Sequence, residues 1–232
     1  MDSVQSFLAL VVLLAPLVAA GGIAAFGLTR SRRLGRGLCM LGAAVSFFAA
    51  AAAVVRLYGG GLGVQLPLSL GVWLTSGLHD PFQIEFAVCL DLPSACLAAV
   101  MSLSTFCALG WNRSDVPDSP SGRLMYIASS FLLASSLGIV LATNAGELFV
   151  FWQIASIAGY FMYAAGIQTS PQAAAAKKFV LVHRVAEFWL LCAVFALAVG
   201  YQTLDFDDLF QYLRIHGVAQ RFALVHLLGC AC

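Results

Sequence analysis

Hydrophobic residues in this chain form long, unbroken stretches rather than an alternating pattern. A helix needs about 20 apolar residues to cross a bilayer, and the chain has six stretches of roughly that length. They cover residues 7–28, 39–55, 92–109, 124–141, 148–166 and 178–199. A seventh stretch begins near Phe222 and is cut off at Cys232. The pattern predicts an all-α polytopic membrane protein with about six transmembrane helices and a truncated seventh.

The segment between the second and third stretches has a different character. A glycine cluster at residues 59–61 is followed by apolar residues at alternate positions from Val64 to Leu70, and a second short run covers residues 82–88. Alternation around a turn-prone segment at residues 78–81 is typical of two short strands. We therefore predict a small external β-hairpin, and divide the chain into an N-terminal transmembrane hairpin (1–57), an external loop (58–91) and a third region (92–232).

After the sixth stretch, apolar and acidic residues recur at helical spacing from Thr203 to His216. This spacing predicts a short amphipathic helix lying along the membrane surface.

Basic residues are distributed unevenly among the predicted loops. Eight follow the first, third and fifth stretches and three lie in the opposite loops. The larger group is Arg30, Arg32, Arg33, Arg36, Arg113, Arg123, Lys177 and Lys178, and the smaller is Arg56, Arg214 and Arg221. Because cytoplasmic loops carry the excess of Lys and Arg, the N-terminus is predicted to lie outside the cell inner (plasma) membrane. The first stretch is predicted to be a retained helix, since its arginines follow it rather than precede it.

Composition agrees with a membrane protein and narrows the range of functions. Hydrophobic residues make up 61% of the chain and charged residues 10%, and the mean hydropathy is +0.92. A net charge of +1 gives no reason to expect a nucleic-acid partner. The seven cysteines lack the paired C-x-x-C spacing of a metal site. No P-loop, G-x-S-x-G, H-E-x-x-H or dinucleotide motif is present.

The sixth stretch carries ionisable residues where a lipid-embedded helix should have none. Arg184 lies three residues before Glu187 and His183 four before it, so the three can share one face of a helix. Lys177 lies two helical turns before Arg184, on a similar stripe. Such residues are costly in a bilayer and usually mark an ion pathway. A proton relay and a purely structural Arg184–Glu187 pair both fit this pattern.

The fifth stretch supplies a second polar stripe, at Gln153, Ser156, Tyr160 and Tyr163. Such groups often form hydrogen bonds between helices. Gln153 can orient water or bind a basic residue, but it cannot hold a transferable proton. Glu147, near the start of this stretch, is predicted to be a solvated residue at a helix N-terminus.

Several motifs together resemble the antiporter-like membrane subunits of respiratory complex I. Residues 86–95 (FAVCLDLPSA) are similar to the family's entry to its third helix, and residues 144–153 (NAGELFVFWQ) to its "n-x-l-x-L-F-x-x-W-E" segment. Residues 174–187 (AAAKKFVLVHRVAE) are similar to its "A-A-x-K-A-F-x-x-x-R-x-G-D" segment, and the "T-L-D-F" at 203–206 to its surface helix. Subunit L of NADH:quinone oxidoreductase and the large subunit of Mrp sodium/proton antiporters are members of this kind that the chain resembles, over roughly residues 65–232.

The resemblance implies a proton-translocating membrane subunit of a multi-subunit complex. It makes residues 92–232 the start of the proton-conducting domain, with Lys177, His183, Arg184, Glu187 and Gln153 lining the path. It also implies that the flavin, iron–sulfur clusters and quinone site belong to other subunits, so that this chain binds no cofactor and is a component of an enzyme rather than an enzyme alone.

Two departures from the family pattern leave alternatives open. The family's fifth-helix glutamate is replaced by Gln153, and the printed sequence stops before the position of the family's seventh-helix lysine. One alternative is a non-conducting scaffold or assembly subunit. The other is the membrane partner in a bicarbonate-uptake or Mrp sodium/proton antiporter complex.

Overall fold

The computed structural model describes residues 2–26, 32–60, 67–76, 82–111, 120–166 and 169–216. These ranges contain seven helices and a two-stranded sheet: α1 Asp2–Phe26, α2 Arg32–Gly60, β1 Pro67–Ser76, β2 Phe82–Cys89, α3 Leu92–Trp111, α4 Pro120–Leu141, α5 Ala145–Ala165, α6 Ser170–Tyr201 and α7 Phe206–His216. In this part of the chain six helices, α1 to α6, are long and apolar enough to cross a membrane. The predicted polytopic all-α fold with its hairpin is confirmed. The seventh stretch from Phe222 lies outside the described residues.

The helices extend beyond the apolar stretches that predicted them. Lys177 and Lys178, expected in a loop, lie within α6, which begins at Ser170. The main-chain N–H of Thr169 donates to the Gln172 side chain at 3.0 Å and so satisfies a polar group at the start of this helix. Alanine and lysine are strong helix formers, so the residues between this cap and the apolar stretch remain helical. Arg33 and Arg36 lie within α2 for the same reason, since hydropathy marks the buried length of a helix and not its ends.

The core of the bundle lies among the first four helices. α1 packs against α2 and α4, α2 packs against α3, and α5 packs along α4. The largest buried cluster combines residues of α1 to α4 with Val88 of β2, Leu90 just after that strand, and Phe151 of α5. At Gly138 of α4 an added Cβ would lie 2.3 Å from the Phe151 ring, so the absence of a side chain there allows α4 and α5 to approach closely.

α6 lies at the edge of this bundle and packs mainly against α5. Its buried residues, Ala176, Glu187, Leu190, Ala193 and Leu197, repeat at helical spacing and form one face. The remaining surface of α6 is largely apolar and exposed, for example at Leu181 and Phe188. The α5–α6 contact therefore decides which polar residues of α6 are kept away from lipid.

A small structure, here called the hairpin cap, joins four chain segments at the end of the bundle. β1 and β2 pair antiparallel, with irregular register on either side of Gly71, whose φ of 126° suits glycine. β2 is linked to the α4–α5 turn by a bridge between Val88 and Ala142, and that turn is linked to the α6–α7 turn by a bridge between Asn144 and Asp205. The hairpin cap thus joins the C-terminal ends of α4 and α6 and the N-terminal end of α5.

Candidate functional site

Arg184, Glu187 and Ser156 meet between α5 and α6, within the helices that can span the membrane. The Arg184 Nη2 atom donates to Glu187 Oε1 at 3.0 Å and to Ser156 Oγ at 3.2 Å. The same nitrogen lies 2.8 Å from Glu187 Oε2. One guanidinium nitrogen therefore hydrogen-bonds one carboxylate oxygen and a hydroxyl of the neighbouring helix, and it lies close to the second carboxylate oxygen.

The two members of this ion pair differ in burial. The Glu187 side chain is 3% exposed, whereas the Arg184 side chain is 47% exposed. Glu187 Oε2 is buried and is not aligned for a hydrogen bond with any described residue, although the ion pair brings Nη2 close to it. A buried carboxylate is costly unless it is paired and hydrogen-bonded. The pairing therefore allows the Glu187 carboxylate to stay buried, while the Arg184 side chain remains about half exposed.

His183 is held by contacts with Phe179 of its own helix, and Phe179 in turn packs on α5. Its Nδ1 atom lies 3.0 Å from the carbonyl oxygen of Phe179, one turn earlier. The imidazole ring also packs on the Phe179 ring at 3.9 Å between centroids, and Phe179 packs on Tyr163 of α5 at 4.8 Å. These contacts fix the orientation of the imidazole.

A groove of about 530 Å³ runs between α4, α5 and α6 beside the ion pair. Its lining is mostly apolar or aromatic and includes Trp152, Ser156, Tyr163, Phe179 and His183. Ser156 therefore belongs to both the groove and the Arg184 contact. The polar stripe predicted on α5 faces α6 at Ser156 and Tyr163, as interhelical hydrogen bonding requires for the serine.

The two remaining predicted site residues do not join this contact. Gln153 is partly buried on α5, about one turn before Ser156, and forms no hydrogen bond with the residues that the structure describes. Lys177 is exposed on α6 and has no ion-pair or hydrogen-bond partner within the described ranges. Of the five predicted groups, Arg184 and Glu187 contact each other, and Arg184 also contacts Ser156. His183 lies in the adjoining groove.

Glu147 is the residue that sequence reasoning placed wrongly. It is 0% exposed rather than solvated. Its carboxylate accepts hydrogen bonds from the main-chain N–H of Ala87 in β2 and from the N–H and hydroxyl of Thr143, the latter two at 3.0 and 3.3 Å. Its own N–H donates to the Asn144 side chain at 2.9 Å. The Asn144-x-x-Glu147 spacing is a helix-capping signal, but the contact with β2 could not be read from it.

Glu147 is expected to hold the hairpin cap on the bundle. In the Glu147→Gln variant an amide NH₂ replaces one oxygen and faces N–H or O–H donors, so at least one charge-assisted hydrogen bond is lost. We expect a loss of about 1–3 kcal/mol from local stability, measured as faster hydrogen exchange at β2 amides. The matched control is Glu85→Gln, because Glu85 is exposed on the same strand and, among the described residues, its side chain bonds only Ser69. Equal exchange in the two variants would contradict this role.

Comparison with known proteins shows which proteins this chain is similar to. Residues 142–231 match the family described as "NADH:quinone oxidoreductase/Mrp antiporter, TM". NAD(P)H-quinone oxidoreductase subunit 5 of chloroplasts is 24% identical over 159 residues in Dioscorea elephantipes, which is 67% of this chain and 21% of that one. The same subunit of Acorus calamus is 21% identical over 137 residues, or 59% of this chain and 18% of that one.

Two solved structures have the same fold. A chain of the Mrp complex from Dietzia sp. DQ12-45-1b gives a TM-score of 0.76 at 18% identity, over 98% of this chain and 40% of that one. A chain of the membrane-bound sulfane sulfur reductase, an archaeal respiratory membrane complex, gives 0.72 at 20% identity, over 86% of this chain and 38% of that one. Both are parts of multi-subunit membrane complexes.

The fold is that of a multi-pass membrane protein, and the matched segment is similar to the antiporter-like subunits. The resemblance to the antiporter-like subunits of complex I and of Mrp antiporters, noted in the sequence, is confirmed. The chain spans about a fifth of the length of the quinone oxidoreductase subunits it matches and about two fifths of the solved chains.

Proposed function

We propose that this chain is part of a proton-translocating membrane subunit of a complex I-like NADH:quinone oxidoreductase. Residues 92–232 form the start of the proton-conducting domain, and the contact between α5 and α6 lies on the proton path. The observation that carries the proposal is the buried Glu187 carboxylate, paired with Arg184 and tied through it to Ser156. A carboxylate buried within membrane-spanning helices is most often a functional group.

The chemistry of this contact suits proton transfer. A carboxylate can gain and lose a proton, and the Arg184 cation compensates its charge while it is ionised. Arg184 is too basic to release its own proton. We therefore assign Glu187 the titrating role and Arg184 the role of holding and neutralising it, with Gln153 and Lys177 as more distant polar members of the path.

We also propose the membrane, the orientation and the partners of this subunit. The excess of basic residues after the first, third and fifth helices supports a plasma-membrane protein with its N-terminus outside. Other membrane subunits are its partners. Flavin, iron–sulfur clusters and quinone are assigned to those other subunits, where electron transfer would take place.

Gln153 supports one alternative, a non-conducting scaffold or assembly subunit. At this position the resembled family has a glutamate, whereas an amide cannot exchange a proton with a neighbouring group. A membrane partner in a bicarbonate-uptake or Mrp-type sodium/proton antiporter complex is the other alternative, and the Mrp fold match is compatible with it.

Inverted membrane vesicles from cells with and without the full protein separate these functions. We expect NADH oxidation to acidify the vesicle interior, reported by a pH-sensitive dye, and the acidification to fall when the protein is missing while the other subunits remain assembled. The scaffold alternative predicts that those subunits are lost together with the proton flux. Proton flux that needs sodium or bicarbonate instead of NADH would favour the antiporter or uptake alternative.

A further inference from the structure

The tautomer of His183 follows from its hydrogen bond. Nδ1 lies 3.0 Å from the carbonyl oxygen of Phe179, and a carbonyl oxygen can only accept. In the neutral ring Nδ1 therefore carries the proton, and Nε2 is left with a free lone pair. Nε2 has no hydrogen-bond partner among the described residues, and the ring is part of the groove lining.

The groove contains few other groups that could exchange a proton near neutral pH. On the α4 side its lining is apolar at Leu132 and Ile139, and among the described lining residues of α5 the Tyr163 phenol is the only ionisable side chain. On α6 itself the nearest charged residues are Arg184 and Glu187, which pair with each other. Histidine is the side chain whose ordinary titration lies between about pH 5 and 8.

We propose that His183 Nε2 accepts the exchangeable proton of the groove and passes it on to the path that contains Glu187. This inference rests on the proposed proton-translocating function and names one residue within it. The ring takes a proton from water on Nε2 and becomes an imidazolium, while the Nδ1–H bond to Phe179 remains intact. Release of the same Nε2 proton to water or to the next acceptor restores the neutral ring, so proton and charge balance over one cycle.

Geometry suits His183 to this transfer. The stack of Phe179 and Tyr163 holds the ring while Nδ1 is anchored to the helix, which leaves one nitrogen for exchange. The two charged residues nearest to His183 along α6, Arg184 and Glu187, compensate each other.

The test compares His183→Gln with His216→Gln in the full protein, assembled in its complex in inverted vesicles. His216 is the last residue of α7, outside the α5–α6 contact, so its variant serves as the matched histidine control. We expect His183→Gln to lower NADH-driven proton flux by about tenfold or more and to change the pH profile of the flux. His216→Gln should retain both.

The outcomes separate this inference from the function on which it rests. If Glu187→Gln loses proton flux while His183→Gln keeps the flux and its pH profile, the function stands and the role of His183 is wrong. If wild-type assemblies move no protons, or neither variant changes the flux, the function and the inference both fail.

A spectroscopic measurement keeps the inference testable should His183→Gln fail to assemble. Nitrogen-15 NMR of the complex with labelled histidine in this subunit distinguishes the two tautomers. We expect one of the four histidines to have a protonated Nδ1 and a free Nε2 at high pH, and both nitrogens protonated at low pH. This signal should persist in His216→Gln. The opposite tautomer, or the absence of a histidine of this kind that takes up a second proton at low pH, would overturn the proposal.

Discussion

Replacing Glu187 with Gln is expected to lower proton translocation by about tenfold or more, the usual effect of losing a positioned proton-transfer group. The amide keeps the size and shape of the side chain and can still accept a hydrogen bond from Arg184 through its oxygen. It cannot gain and lose a proton at the pH of the cell. The measurement is NADH-driven acidification of inverted vesicles, normalised to the amount of protein in the membrane.

The matched control for this variant is Asp205→Asn. It also removes one negative charge, but from the α6–α7 turn in the hairpin cap, away from the α5–α6 contact. We expect its proton flux to stay within about twofold of wild type, because it removes no group assigned to proton transfer. Full flux in Glu187→Gln, with normal insertion, would exclude Glu187 from the proton path.

Replacing Arg184 with Met is expected to destabilise the protein strongly. Glu187 is 3% exposed, so without Arg184 it would be a buried carboxylate without its cation. Removing one partner of a buried pair typically costs about 3–5 kcal/mol, and we expect the lower end because the Arg184 side chain is half exposed. The resistance of the purified complex to unfolding by heat or by sodium dodecyl sulfate measures this loss.

Lys177→Met provides the comparison for Arg184→Met. Both changes replace a long cation on α6 with methionine, but Lys177 is exposed and without a partner in the described part of the chain. We expect its stability to change by less than about 0.5 kcal/mol. Similar losses in the two variants would mean that the Arg184–Glu187 pair contributes little to holding α6 on α5.

Much of the fold could be predicted because lipid leaves few choices to the backbone. Every polar group in a spanning segment must be satisfied within the segment, so a long apolar stretch is a helix. Hydropathy says less about where a helix ends. The apolar stretch begins at Lys178, but α6 begins at Ser170 because its first turns consist of strong helix formers.

Contacts between distant parts of the sequence could not be predicted from the local pattern. Glu147 has the spacing of a capping residue, but its burial depends on the N–H of Ala87, 60 positions away in the hairpin. Nothing in the local pattern distinguishes a solvated capping glutamate from one covered by a strand.

Only part of the candidate site could be predicted, because it too includes a contact between distant parts of the sequence. Spacing on one helix places Arg184 beside Glu187, and this pair is observed. The partner on α5 could have been any member of its polar stripe, and the rotation of α5 against α6 selects Ser156. Lys177 shares the sequence stripe with Arg184, but it has no ion-pair or hydrogen-bond partner among the described residues.

The double variant Arg184→Met with Glu187→Met separates conduction from structural support. Removing both charges leaves no buried ion without a partner, so most of the stability lost in Arg184→Met should return. Proton flux should remain at least about tenfold below wild type, because the titrating carboxylate is gone. If the stability and the proton flux both return to wild-type values, the pair only holds α6 against α5 and the proton path does not pass through it.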